Sequence, residues 1–365
     1  MPPVNSHPKD VTLAAVKENV SLRAALLPLA ARHDTHHGVM TNCEILPAAE
    51  AQERALALLR AGEVVAIPTE TVYGLAGDAT NGDAVARIFE AKGRPRFNPL
   101  IAHVADMAMA EKIGTFDPLS RKLAEAFWPG PLTLVVPLND AAGIHPLVTA
   151  GLTTIALRMP RGFGAELIRA LGRPLAAPSA NSSGKISATS AKAVQADLGR
   201  KIPLVVDGGP TIVGLESTIL KVENGALRLL RPGGVPAEEI ERVTGAKVAR
   251  GAGGHVEAPG MLASHYAPGA AVRLAAAEVR PGEALLAFGA KRARDAGKAV
   301  AMRNLSESGD LREAATNLFS YLQALDASGA TVIAVEPIPS TGLGEAINDR
   351  LSRAAAPRDM PPAQR

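Results

Sequence analysis

Four polar clusters interrupt an otherwise apolar sequence, and their side chains suit gripping anions better than bonding covalently to a substrate. PTETVYGL (68–75) offers Thr71 beside Gly74, which lets a ligand approach the backbone. AKGRPRFNPLIAHV (91–104) places Lys92 and Arg94 before a proline-stiffened turn, then Asn98 and His103. TTIALRMP (153–160) closes an apolar run on Arg158, and LAAPSANSSGKIS (175–187) presents Ser179, Asn181 and Ser187 on a Pro/Gly-rich loop. Cations neutralise an anion, hydroxyls and backbone amides supply directed donors, and arginine adds a bidentate fork that lysine lacks. An arginine ending a buried strand needs a partner, because burying a lone charge is expensive. Each cluster falls at a strand end, where ligands gather in open α/β sheets.

Taken singly, every one of these residues has a plainer reading. Lys92 and Arg94 suit the C-terminus of a helix, where positive charge meets the dipole. His103 between Ile101 and Val104 reads as a core histidine, Ser179 and Asn181 as turn formers, and Arg158 as a structural ion pair. Other chemistries leave no trace: the sequence has no G-x-x-x-x-G-K-[ST] loop, no G-x-S-x-G elbow and no histidine–carboxylate cluster with zinc spacing. A histidine trio, His33, His36 and His37, has Asp34 beside it but not the ligand spacing of a zinc site.

Alternating elements must position these clusters. Helical periodicity predicts helices over 48–60, 84–91, 118–127, 164–171 and 190–198; short apolar runs predict strands over 64–68, 100–104, 132–137, 154–158, 175–177 and 204–206, with a pair at 217–222 and 227–230. A Gly-rich stretch of low periodicity, 249–268, reads as a linker. Beyond it strands at 272–274, 284–288, 299–302 and 331–335 alternate with helices at 311–326 and 345–355, enough for a second small α/β domain. The expected organisation is 1–44 as a disordered or over-called extension, 45–245 as the main domain, 246–269 as a linker or lid, 270–356 as the C-terminal domain, and 357–365 as a tail.

At 365 residues the chain is long enough for about two domains. Its 47% hydrophobic and 21% charged residues describe a globular protein whose cores, at 3% aromatic, rest on Ala, Val, Leu and Ile. A net charge of +3, from 39 basic and 36 acidic residues, fits an enzyme of anionic substrates and falls short of a dedicated nucleic-acid binder. One cysteine, Cys43, excludes an internal disulfide and fits a reducing cytoplasm. No run reaches the length of a membrane span, and the first residues lack the pattern of a secretory signal.

In order, PTETVYGL, AKGRP..NPL, WPGPLTLV, TIALRMP, AAPSAN, DGG....LESTI and LLRPG resemble the YrdC-like family of threonylcarbamoyl-AMP synthases over about 45–245. APGMLASHYAP and GLGEAINDRLSRAA extend the resemblance to about 356 and to the long two-domain form. The resemblance implies a YrdC-like twisted open sheet with flanking helices, plus a small Rossmann-like C-terminal domain. It implies synthesis of L-threonylcarbamoyladenylate and pyrophosphate from L-threonine, bicarbonate or CO2 and ATP, a nucleotidyltransferase reaction serving threonylcarbamoyladenosine formation in tRNA. By the same resemblance Lys92, Arg94, Ser179 and Asn181 are catalytic. ATP falls on Arg94, Asn98, Thr154, Ser179, Ser187, Arg231 and Tyr266, with Tyr266 as a lid; threonine falls on Thr71, His103, Arg158, Ala177 and Ser217, with Arg158 forking its carboxylate. Mg2+ is expected with the nucleotide, held by phosphates and water rather than by the protein. A tRNA-modifying transferase is the implied recipient, a homodimer is admitted, and no membrane partner is implied. Two rivals are a non-catalytic double-stranded RNA-binding module and a carbamoyl-transfer enzyme of hydrogenase maturation. The first lacks strong positive charge and an aromatic stacking platform; the second needs zinc-finger cysteines absent here.

Overall fold

The computed structural model describes residues 43–251, 256–261 and 264–357. The N-terminal extension, the histidine trio and most of the tail lie outside the described residues. Among the described residues one sheet holds β1 (Glu44–Pro47), β2 (Val65–Ile67), β3 (Gly74–Asp78), β4 (Ile101–His103), β5 (Leu132–Pro137), β6 (Thr154–Arg158), β7 (Leu175–Ala176), β8 (Leu204–Asp207), β9 (Thr218–Glu223), β10 (Ala226–Arg231) and β11 (Val248–Arg250). Their order is β1-β8-β2-β3-β7-β4-β6-β5-β9-β10-β11, with parallel and antiparallel neighbours mixed. Helices α1 (Ala48–Arg60), α2 (Gly82–Lys92), α3 (Met107–Ile113), α4 (Pro118–Phe127), α5 (Pro146–Thr149), α6 (Phe163–Leu171), α7 (Ala191–Leu198) and α8 (Ala237–Thr244) accompany it.

The central strands are apolar throughout because both faces are covered. Ile155 and Leu157 of β6 enter the main core, while Ala156 joins Ile101 and Val135 in a smaller one on the opposite face. β3 was not expected, since GLAGD has little strand propensity. Its pairing between β2 and β7 overrides that, and Gly77 lets it lie close to Ile88 and the Ala84 carbonyl. Also unexpected are β1, α3, α5, α8 and β11.

A second sheet, wholly parallel, has the order β12-β15-β13-β14, with β12 (Ala271–Arg273), β13 (Glu283–Ala287), β14 (Met302–Asn304) and β15 (Val332–Val335). The third of these strands was expected at 299–302 and begins where that expectation ends. Helices α9 (Leu311–Asp326) and α10 (Leu343–Ala355) complete this layer.

The two layers share a core. Val72, Ile186 and Leu215 pack with Leu318, Phe319 and Leu322 of α9 and Ile347 of α10. Each fully buried aliphatic or aromatic side chain contributes about 1.5–3 kcal/mol of transfer free energy. Gly214, at φ +75°, abuts α9 so closely that a Cβ would stand 2.4 Å from the Ala315 carbonyl. Beside it the Thr316 hydroxyl donates to the Ile212 carbonyl at 2.9 Å, and Arg250 pairs with Glu345 at 2.6 Å. The described parts of the stretch read as a linker are anchored: β11 pairs with β10, Ala258 is buried in the small core with Ile101 and Val135, and Tyr266 in the core the two layers share.

Candidate active site

The amphipathic face of α2 carries Val85, Ile88 and Phe89 inward, and Lys92 falls on the same face one turn later. Asn81 caps the helix by accepting from the Asp83 and Ala84 amides; Gly93, at φ +58°, ends it in the left-handed conformation glycine tolerates. Lys92 is therefore buried, and its ammonium donates to the Ser179 carbonyl at 2.5 Å and to the Asn181 carbonyl. Burial, then the neighbouring Arg94, holds its pKa well below the ordinary lysine value. Past the cap, Arg94 turns inward, donating to the carbonyls of Asn98 (3.2 Å) and Pro99 (2.8 Å).

On β4 and β6, which run parallel, His103 and Arg158 are register partners. Strand alternation puts Ile101, His103, Ala156 and Arg158 on one face. Arg158 is buried and paired with Glu70 at 2.8 Å, and its Nε donates to the Gly130 carbonyl at 3.3 Å. The other Glu70 oxygen accepts from the Arg161 amide at 3.1 Å. Nε and one terminal nitrogen of Arg158 are thus engaged by protein.

The turn into β9 and the end of β10 complete the wall. The guanidinium of Arg231 donates to the Ser217 carbonyl at 2.9 Å and to its hydroxyl at 3.1 Å, and the latter also meets Thr133 at 2.7 Å. Glu216 accepts from the Ser187 hydroxyl at 2.5 Å and from Arg350 of α10 at 2.8 Å. Arg350 is fully buried under the Tyr266 ring, 5.0 Å from its centroid, and Tyr266 stacks on Phe319 at 5.6 Å.

Pro259, Gly260, His265 and Tyr266 line the remaining side. Gly260, at φ +83°, permits the close approach, since a Cβ there would stand 2.7 Å from the Arg231 side chain. The enclosed cavity measures about 40 Å³. That is room for a few waters, against roughly 300 Å³ or more for a typical ligand site. Around it stand Thr71, Arg94, His103, Arg158, Ala177, Ser179, Ser217, Arg231 and Tyr266, nine of the residues singled out from the sequence. Five others stand off it. Lys92 secures the Ser179–Asn181 loop from behind, Ser187 is tied to Glu216, and Asn98 lies under Arg94. Asn181 lines a separate groove of about 1090 Å³ between that loop and α9. Thr154 sits at the far end of β6, about 13 Å along the strand from Arg158.

Sequence reading missed Glu70, Glu216, His265 and Arg350. Glu216, a carboxylate between Leu215 and Ser217 in an apolar stretch, was the legible signal; the role of Arg350, 134 positions away, depends on how the layers dock.

The cavity is electropositive. Arg94 has its pKa pushed down to about 10 by burial and then by Arg231, and that of Arg231 is lowered by burial and further by Arg350 and Arg158. Burial, then Arg158, holds His103 neutral, well below its ordinary value, and burial takes His265 down to about 3. Among the described residues, Nδ1 of His103 is a buried polar atom without a partner on a residue that lines the cavity; the amide atoms of Asn98, Oδ1 of Asn181 and Nη2 of Arg350, also without partners, belong to residues that stand off it. Such atoms are rare in folded proteins. Among the described residues no group of three or more His, Cys, Asp or Glu could hold a metal ion, and no helix is long and apolar enough to cross a membrane.

Fold and site define an α/β domain whose cavity gathers arginines and hydroxyls beside His265 and Tyr266. A family model described as "Telomere recombination" (Sua5_yciO_yrdC) matches residues 57–233, and one described as "Threonylcarbamoyl-AMP synthase, C-terminal domain" matches residues 235–356. The chain is 42% identical to the threonylcarbamoyl-AMP synthase of Bacillus subtilis, covering 84% of this chain and 93% of that one. It is also 42% identical to that of Pyrococcus abyssi, over 83% and 94%. A crystal structure of P. abyssi Sua5 complexed with L-threonine superposes with a TM-score of 0.77 at 37% identity, covering 86% of this chain and 97% of that one. The chain belongs to the threonylcarbamoyl-AMP synthase family.

Proposed function

We propose that the cavity is where this chain forms L-threonylcarbamoyladenylate and pyrophosphate from L-threonine, bicarbonate and ATP, acting as a nucleotidyltransferase. The observation that carries the reading is the convergence of Arg94, Arg158 and Arg231 on one cavity that only Glu216 lines from the acidic side. Like charges buried together are costly, and the anions of a triphosphate and an amino-acid carboxylate relieve that cost. In this reading ATP meets Arg94, Ser179, Arg231 and Tyr266, with Asn98, Ser187 and Thr154 further along it. Threonine meets Thr71, His103, Arg158, Ala177 and Ser217, its carboxylate taking the part of Arg158 that Glu70 leaves free.

A cavity of about 40 Å³ holds neither substrate, so the strap bearing His265 and Tyr266 withdraws to admit them and returns as a lid. The threonine amine captures bicarbonate to give a carbamate; a carbamate oxygen then attacks the α-phosphorus and pyrophosphate leaves. Catalysis is mainly positioning, worth roughly 7 kcal/mol or more as effective molarity, with charge stabilisation from the arginines. Both oxygens of Glu216 are engaged by Ser187 and Arg350, so the donor set suits Mg2+ carried by phosphate oxygens and water rather than by a carboxylate cage. When bound, the ion would neutralise phosphate charge. A tRNA-modifying transferase is the fitting recipient, because a mixed anhydride hydrolyses readily.

Arg94→Ala tests the reading. Threonine-dependent pyrophosphate release is expected to fall at least about 100-fold; turnover near that of the unaltered protein would overturn it.

A further inference from the structure

Before an amino acid can capture bicarbonate its ammonium must lose a proton, and the acceptor has to stand inside the closed cavity. The candidates can be taken in turn. Glu216 has both oxygens committed, one to Ser187 and one to Arg350. Glu70 is committed likewise, to Arg158 and to the Arg161 amide. His265 already accepts from the Tyr266 amide at 2.9 Å through Nδ1. Lys92 points its ammonium at two loop carbonyls behind the wall. Thr71 and Ser217 carry alcohols, tied to Thr69 and to Thr133 and Arg231. Among the described residues that line the cavity, His103 alone combines a basic atom with an uncommitted lone pair: it is buried, neither ring nitrogen has a hydrogen-bond partner, and with Nδ1 shut in, Nε2 is the nitrogen left to face the cavity.

We propose that His103 is a catalytic residue that takes the proton from the threonine ammonium. This rests on the reading given under Proposed function. With its hydrogen on Nδ1, the imidazole receives one ammonium proton at Nε2. The freed amine attacks the bicarbonate carbon and an N–C bond forms. The bicarbonate hydroxyl leaves as water with a second amine proton, and the carbamate anion remains. The imidazolium gives its proton to solvent when the strap opens.

The surroundings make the transfer feasible. From β6 the charged neighbour is Arg158, with Glu70 behind it; β7 brings no charged group; across the cavity stand Arg94, Arg231, Glu216, His265 and Tyr266. Burial, then Arg158, depresses the basicity of the free imidazole. A substrate carboxylate settling on Arg158 offsets the second cause. The same guanidiniums make the ammonium easier to deprotonate. Substrate thus adjusts both donor and acceptor toward one another.

The test is His103→Gln, whose amide oxygen reaches the position of Nε2 and accepts a hydrogen bond but not a proton. L-threonine binding is followed by calorimetry, and threonine-dependent pyrophosphate release is followed from pH 6 to 10 beside the unaltered protein. Expected are threonine affinity within about threefold and kcat lower by about 100-fold at pH 7. The deficit should shrink as pH rises, because the free amine fraction grows about tenfold per pH unit below the amine pKa. Retained binding also shows that the variant is folded. A deficit constant with pH, or a loss of affinity matching the loss of rate, overturns the role of His103. Absence of pyrophosphate from the unaltered protein would instead overturn the reaction itself, and this role with it.

Discussion

Arg350 of α10 donates to Glu216 at 2.8 Å, so the C-terminal layer supplies the countercharge of a carboxylate that lines the cavity. Burial works against both charges. For Glu216 it raises the pKa, but Arg350 and Arg231 outweigh it and hold the carboxyl below the ordinary glutamate range. For Arg350 burial lowers the pKa, and Tyr266, Glu216 and Asp349 more than compensate.

Removing one partner leaves the other buried and uncompensated. Arg350→Met is expected to cost about 3–5 kcal/mol in urea denaturation, and the double variant Arg350→Met with Glu216→Gln to recover much of it. The sign with pH follows from the lowered carboxyl. Its stabilisation is present above the unfolded glutamate pKa and is lost as pH falls through the folded value. Glu216→Gln should therefore flatten the acid limb of the stability profile.

In the reading proposed above Lys92 acts by positioning, since its ammonium holds the loop that carries Ser179 and Asn181 without lining the cavity. Lys92→Met leaves the Asn181 carbonyl unpaired, at about 1–3 kcal/mol, and the Ser179 carbonyl with the Asn181 amide as its remaining donor. Both a lower melting temperature and at least a ~100-fold loss of pyrophosphate release are expected. Lys92→Arg should not restore activity, because a planar fork cannot fill the place of a compact ammonium between two carbonyls. Unchanged stability in Lys92→Met would contradict this assignment.

The residues that gather at the cavity were legible because each stands where a strong local pattern ends. Arg158 closes an apolar strand, and Arg94 follows a helix ended by Gly93. Long-range consequences were not legible. Sequence spacing cannot show that Glu70 folds back onto Arg158, 88 positions on, nor that α10 reaches Glu216. β3 escaped because tertiary pairing, not propensity, makes GLAGD a strand. The stretch 249–268 looked like a tether because glycines and prolines dominate it. Gly260 is there to press the chain onto Arg231, which is a packing requirement rather than flexibility.

Gly214 should tolerate no side chain. Its φ of +75° disfavours L residues, and a Cβ would lie 2.4 Å from both the Ala315 carbonyl and the Thr316 Cα. Those are backbone atoms of α9, which cannot swing aside. Gly214→Val should separate α9 from Leu215 and expose the shared core, lowering stability by more than about 3 kcal/mol. Limited proteolysis would then cut within 256–269 faster than in the unaltered protein.

Glu70 sets how Arg158 presents itself. Its carboxylate takes one guanidinium nitrogen at 2.8 Å and the Arg161 amide at 3.1 Å, which fixes the fork with one side still free. Glu70→Gln keeps the size but turns an amide NH2 toward either the guanidinium or the backbone N–H, and donor faces donor in both cases. The lost charge-assisted bond is worth about 1.5–3 kcal/mol, or roughly 10- to 100-fold in an equilibrium constant. Since Arg158 is assigned to the threonine carboxylate and Arg94 and Arg231 to the nucleotide, the loss should fall on one substrate. The KM for threonine is expected to rise 10- to 100-fold while that for ATP stays within about twofold. Steady-state titration of each substrate at saturating levels of the other reads this directly, and an equal rise in both would mean that Glu70 supports the whole cavity rather than its amino-acid side.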